Sequence, residues 1–293
     1  MASDFDSFLQ QAWADHADHA ETVAERLRAA TPAPETADQL SALVRLLVHL
    51  WGEHLGAFDE GRRRLAALTS HPLADRSVQS ALRVGAASLT LAETGAADCT
   101  GFTLEERIRS EAAAAAIGLG RHDTRHAMLL LHAARERLIG VPHADAATHR
   151  PLAVACNNMA WELHDRGSAR NAEDTTAMLD VAAASKLHWS HAGTWLEVER
   201  GDYGLALCHL SAGQAEQALN FAAECLAACT QNDAPAYEHF FAHEALARVQ
   251  HVRGDTGARA HHLAAAEAAF EKLSADDREG CGATLAALRA LAP

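Results

Sequence analysis

The sequence predicts an all-α protein built of stacked helix pairs, and three observations carry that expectation. A short pattern recurs between Ala153 and Lys272: Met159-Ala160 with Gly167, Leu205-Ala206 with Gly213, and Leu246-Ala247 with Gly254. Each time a large apolar residue precedes Ala, a Gly follows seven residues after the Ala, and another Ala-rich amphipathic stretch comes next. Helix, glycine turn and helix at a period of roughly 40 residues mark a stacked helical repeat. Hydrophobic residues make up 49% of the chain but aromatics only 5%, so Ala, the strongest helix former, dominates the apolar set. Finally, Val, Ile and Thr nowhere cluster into the alternating runs of a strand.

Taken in order, the elements are thirteen helices. The first spans about 3–30 and stops at the Thr31-Pro-Ala-Pro34 breaker. The second spans about 35–54 and turns at Gly56, the third 59–70 before Pro72, and the fourth 74–94, closed by Gly95. Helices near 103–118 and 122–138 flank Gly118-Leu-Gly120, and Gly140-Val-Pro142 is the strongest internal boundary. It separates an N-terminal region, 1–140, from a C-terminal one, 141–293, that together are expected to form one continuous array. The C-terminal helices fall near 151–166, 172–190, 192–212, 215–231, 235–253, 256–273 and 276–291. Asp233 and Pro235 suit a helix start, with the proline near the first helical position, and Asp255 and Ser274 suit N-caps.

Composition narrows the function. The formal charge of −14 disfavours nonspecific nucleic-acid binding, where Lys and Arg must neutralise phosphates, and disfavours docking on an anionic membrane. No apolar run approaches the roughly 18 residues needed to span a bilayer. The acidic, amphipathic start lacks the basic and apolar regions of a signal peptide, so the cytoplasm is the expected compartment. Six scattered cysteines include no C-x-x-C pair and read as buried, reduced thiols. No Gly-x-Ser-x-Gly, phosphate-cradling loop or dinucleotide fingerprint is present, so neither an enzyme nor a cofactor is expected.

The repeated pairs resemble tetratricopeptide repeats. Leu205, Ala206, Gly213, Ala218 and Ala222 follow that family's spacing, as do Met159, Ala160 and Gly167. Leu246, Ala247 and Gly254 match in the first helix of the third pair, where Arg259 stands at a position usually small in the second helix. In the N-terminal half only Leu55-Gly56-Ala-Phe-Asp-Glu-Gly61 reads as a repeat turn. The spacing between repeats exceeds the family's usual length of about 34 residues. The resemblance implies a right-handed superhelix, an α-solenoid, whose first helix in each pair exposes one face to a concave groove that binds peptides.

Aligned on the turn glycines, that face carries Asn157, Trp161 and His164 in one repeat, Arg200, Gly204 and Cys208 in the next, and Phe241, Glu244, Arg248 and His251 in the third, with Glu197 one turn before Arg200. Asn157 and Asn158 suit an extended peptide backbone. Arg200 and Arg248 suit carboxylates, and Trp161 and Phe241 suit anchors. The lysines of the family's carboxylate-clamp members have no equivalents. The alternative is that the aromatics fill gaps between helices and the charges are solvated. Both tyrosines and three of the five tryptophans fall within 155–245, marking that stretch as the working region.

Histidine is abundant, with 19 in the chain. His188 and His191 are three apart and His239 and His243 four apart, spacings that can set two imidazoles on one metal with Glu238 or Glu244 completing the site. Others, His16 among them, scatter in no ligand pattern. The leading expectation is a noncatalytic scaffold that binds a protein or peptide segment bearing some positive charge. The alternatives are a metal or small-ligand sensor using His188, His191, His239 and His243, and a self-associating structural protein that forms a homodimer.

Overall fold

The structure, a computed structural model, describes residues 4–29, 32–141 and 143–291. Thr31 of the first expected breaker and Pro142 of the expected internal boundary lie outside the described residues. Among the described residues there are fourteen α-helices and no strand, and neighbours in sequence pack on one another from α3 to α7 and from α9 to α14. Two compact units, Met1–Ala155 and Cys156–Pro293, divide the chain.

The N-terminal unit contains α1 (Asp4–Asp15), α2 (Ala20–Arg28), α3 (Ala37–His49), α4 (Phe58–Leu68), α5 (Arg76–Thr94), α6 (Leu104–Gly120) and α7 (Thr124–Glu136). The single helix expected over 3–30 is in fact α1 and α2. His16 Nδ1 bonds the Trp13 carbonyl at 2.6 Å, a carbonyl that a continuing helix would use for Ala17. Caps start the later helices. Thr36 accepts from Gln39 N–H, Asp75 from Val78 N–H and Asp123 from His126 N–H, and Thr103 forms a reciprocal box with Glu106. The core gathers Phe5, Val23, Leu40, Leu46, Leu50, Trp51, Leu65, Leu89 and Ile117. Buried Trp51 is covered by the Arg64 guanidinium, 4.7 Å from the ring centroid.

The helix expected over 35–54 changes type near its end. After α3 the chain makes one π turn, Leu50–His54, with Leu55 N–H donating to the Leu50 carbonyl at 3.0 Å. Gly52 allows this turn to press on α6: a Cβ there would stand 2.7 Å from the Ile117 side chain.

The C-terminal unit begins within α8 (Ala146–Asp165) and continues through a 3-10 turn to α9 (Ala172–Ala192), α10 (Trp195–Ser211), α11 (Ala215–Gln231), α12 (Ala236–Arg253), α13 (Thr256–Phe270) and α14 (Ala275–Arg289). Short connections between α10 and α11 and between α12 and α13 make these pairs antiparallel. Gly213 and Gly254, two glycines of the repeated pattern, sit in these connections at φ 75° and 76°, where a side chain would be strained. Asp255 caps α13 and Ser274 caps α14. Pro235 is the cap residue of α12, one position before the first helical residue.

Consecutive helices from α9 to α14 pack on one another, and α12 also touches α10 and α14. The contacts use small side chains: Ala206, Ala222, Ala245 and Leu246 form one cluster, while Phe240, Ala247, Ala266, Cys281 and Leu285 anchor another. All six cysteines are free thiols, five of them buried, with Cys99 half-buried. Cys225 and Cys229 on α11 both donate to one oxygen of Glu199 on α10, at 2.8 and 3.4 Å. Among the described residues no helix is long and apolar enough to cross a membrane.

Candidate functional site

The residues expected on the concave face come from α8, α10 and α12. Two of them, Trp161 and Phe241, join Tyr203 and Tyr237, which were not expected on that face, in a continuous row. Trp161 on α8 meets Tyr203 on α10 at 6.0 Å between ring centroids; Tyr203 meets Phe241 on α12 edge-on at 5.5 Å; and Tyr237, one turn earlier on α12, meets Phe241 at 5.0 Å. His164 stands edge-on to Trp161 at 5.3 Å. Such pairs contribute about 0.5–1.5 kcal/mol each beyond the area they bury. The rings are half-buried, so each keeps an edge or face towards solvent. Tyr237 and Phe241, four residues apart, share one face of α12.

Asn157 and exposed Asn158 stand at the α8 end, their amides 3.4 Å apart. Asn157, Trp161, Gly204 and Cys208 line a cleft of about 10 Å³, room for about one water. Gly204 keeps the wall low: a Cβ there would already touch Trp161 at 3.8 Å.

The charged members of the face are paired within the protein. Arg200 donates to Glu238 from Nη2 at 2.6 Å and from Nε at 3.3 Å. Arg248 pairs with Glu244, which also accepts from the Tyr203 hydroxyl at 3.2 Å. Glu244 is 1% exposed; burial pushes its carboxyl above the usual range, against the pull of Arg248 and Tyr203. Burial likewise raises the Tyr203 phenol, and the Glu244 charge adds to it. Arg200 and Arg248 therefore neutralise buried acids of α12, and a peptide carboxylate would have to compete for them. Glu197 closes the capping box of α10, accepting from the Thr194 N–H and hydroxyl at 2.7 Å.

The histidines sort differently from the sequence expectation. Among the described residues, no three of His188, His191, His239 and His243 form a group with metal-ligand spacing. His188 is buried and His191 exposed. His239 and His243 have ring centroids 6.4 Å apart, and His243 Nδ1 lies 3.1 Å from Nδ1 of His262 on α13. Burial, then His262, pulls the His243 pKa down to about 4.

A second cluster, in the N-terminal unit, escaped the sequence reading. His16 follows α1, His49 ends α3 and His54 ends the π turn. One ligand nitrogen from each lies within 4.8 Å of the others. His49 Nε2 and His54 Nε2 are 3.1 Å apart. His49 Nδ1 bonds the Glu53 carboxylate at 2.9 Å, and His16 Nδ1 bonds the Trp13 carbonyl. All three rings are half-buried, with the Trp13 indole 5.1 Å from His16 and 5.2 Å from His49. The available signal was the H-x4-H spacing of His49 and His54, which α-helical periodicity places on different faces.

Comparison with protein families, curated proteins and solved structures finds no match to the chain.

Proposed function

We propose that the protein is a noncatalytic scaffold whose C-terminal unit binds an extended peptide segment of a partner across α8, α10 and α12. In this reading the unit is a right-handed superhelical array of tetratricopeptide-like pairs, α8 with α9, α10 with α11 and α12 with α13, closed by α14. Contacts that skip one helix, α10 with α12 and α12 with α14, support such stacking.

The observation that carries the proposal is the half-buried row Trp161–Tyr203–Phe241 across three successive first helices. Aromatics are 5% of the chain, yet three helices each contribute one to a single line. Rings held by their neighbours lose little entropy when a ligand side chain packs on them. The Asn157 and Asn158 amides supply backbone donors and acceptors beside the row. The net charge of −14 favours a segment carrying basic side chains and faster association at low salt.

Selection from a random peptide display library tests this. The wild-type protein should enrich a consensus of apolar and basic residues, and Trp161→Ala or Phe241→Ala should lose it while keeping wild-type helicity. Absence of any consensus, or a consensus that both variants retain, would refute the groove.

A further inference from the structure

The geometry points to a metal site in the N-terminal unit: His16, His49 and His54 bind one divalent transition-metal ion of the zinc class, with a fourth coordination position open. Nothing in this inference depends on the peptide groove, which belongs to the other unit.

Three features converge. The first is ligand spacing. Two imidazole nitrogens on a tetrahedral zinc at about 2.0–2.1 Å stand about 3.3 Å apart. His49 Nε2 and His54 Nε2 are already 3.1 Å apart, and the His16 nitrogen completes a group within 4.8 Å. An ion held by all three draws the His16 nitrogen in, from within 4.8 Å to about 3.3 Å of the other two.

The second feature is the set of outer partners. A metal-binding imidazole holds its other ring N–H on a carboxylate or a backbone carbonyl, which fixes the tautomer and aims the free nitrogen. His49 has the carboxylate, Glu53, and His16 has the carbonyl of Trp13. Both therefore keep their protons on Nδ1 and present Nε2. In this tautomer His49 Nε2 is an acceptor facing His54 Nε2, and a proton on His54 Nε2 joins the two. A divalent cation replaces that single proton and engages all three rings.

The third feature is the backbone. In an α-helix, residues five apart lie about 140° apart around the axis, so His49 and His54 would diverge. The π turn, Leu50–His54, widens the helix by one residue and returns His54 to the His49 face. Core packing holds the turn, because Leu50 and Trp51 are fully buried within it. His16 reaches the pair because the α1–α2 break ends α1 there. The donor set, three imidazoles from elements held by one core, suits zinc, cobalt, nickel or copper rather than magnesium or calcium, which demand oxygen. Partial exposure of the rings leaves the fourth position to water or a small oxygen donor.

The test uses the full, untagged chain stripped with chelator and titrated with zinc or cobalt alone. One equivalent should bind per chain, and bound cobalt should show the visible absorption of a tetrahedral site. His49→Ala and His54→Ala should each weaken binding by more than about 100-fold, and Glu53→Gln by about 10–100-fold, as expected for ligands and for an outer partner. Glu53→Gln leaves all three ligands in place, so it keeps the test decisive if an alanine variant loses helicity. His239→Ala should bind as wild type does. No stoichiometric binding by the wild-type chain overturns the assignment. So does binding that persists in the His49→Ala and His54→Ala variants or disappears in His239→Ala.

Discussion

Arg248→Met isolates the most buried charge in the aromatic row. The Glu244 carboxylate is 1% exposed and has Arg248 as its cation, with the Tyr203 hydroxyl as a second donor. Removing one partner of a buried ion pair costs about 3–5 kcal/mol, because the remaining charge stays desolvated. Arg248 is itself 32% exposed and the Tyr203 bond survives the change, so the lower end, about 3 kcal/mol, is expected. Arg200→Met makes the control. That guanidinium is 55% exposed, so solvent screens its pair with Glu238 and its loss should cost about 1 kcal/mol. The pH dependence has a definite sign. Glu244 titrates above its unfolded value of 4.5, so the folded state binds the extra proton and stability falls as pH rises through that window. Without Arg248 the carboxyl moves further up. The deficit of Arg248→Met should therefore be largest at high pH, where the carboxyl is ionised, and shrink as pH falls and the folded-state carboxyl takes up its proton. Urea unfolding at several pH values measures it, and hydrogen exchange of α10 and α12 peptides locates it. Glu244→Met with Arg248→Met should recover most of the loss. If Arg248→Met is no worse than Arg200→Met, or if its deficit ignores pH, then Glu244 is not a buried, paired charge and the account of this face fails.

Two further outcomes follow from neighbouring features. Burial and His262 depress His243 from 6.5 to about 4, so the folded state binds fewer protons across that window and this histidine's contribution is lost as pH falls through it. His243→Gln should accordingly flatten the acid side of the stability profile between those values, and an unchanged profile would place the titration elsewhere. Gly120 on α6 leaves room for Glu53: a Cβ there would stand 2.2 Å from the Glu53 Cγ. Gly120→Ala should displace that carboxylate from His49 and weaken zinc binding about tenfold. Its helix-propensity gain should keep unfolding free energy within about 1 kcal/mol of wild type. Zinc affinity equal to wild type would separate Glu53 from the site.

Much of the C-terminal unit was legible in the sequence because its signals are local. Gly213 and Gly254 announce left-handed turns, and Asp255 and Ser274 announce caps, through groups within three residues of each other. The expected end of the helix at 215–231 matches α11 residue for residue. Trp161 and Phe241 were named from the sequence, whereas Tyr203, the ring that joins them, was not placed on that face, because only packing between helices brings the three together. The partners of the face were hidden in the same way. Arg200 finds Glu238 on another helix, 38 residues away, and only packing brings the two together. The same limit applies to Cys225 and Cys229, a legible i, i+4 pair whose acceptor, Glu199, comes from the preceding helix.

The histidine cluster was hidden by a different cause, a change of helical period. Reading 35–54 as one α-helix keeps Leu46, Leu47, Leu50 and Trp51 on a plausible apolar stripe, so nothing in the hydrophobic pattern signals the wider turn. The π turn satisfies two requirements together. It keeps Leu50 and Trp51 in the core, where Gly52 permits contact with Ile117, and it turns His54 back towards His49. A turn that forfeits regular i→i−4 bonding persists only where surrounding packing enforces it. Here that packing is the apolar core of the N-terminal unit, so the histidine geometry is set by residues with no chemistry of their own. A larger residue at position 52 should therefore disturb the imidazole cluster and the Ile117 contact together, whereas substitution of a histidine should leave the turn intact.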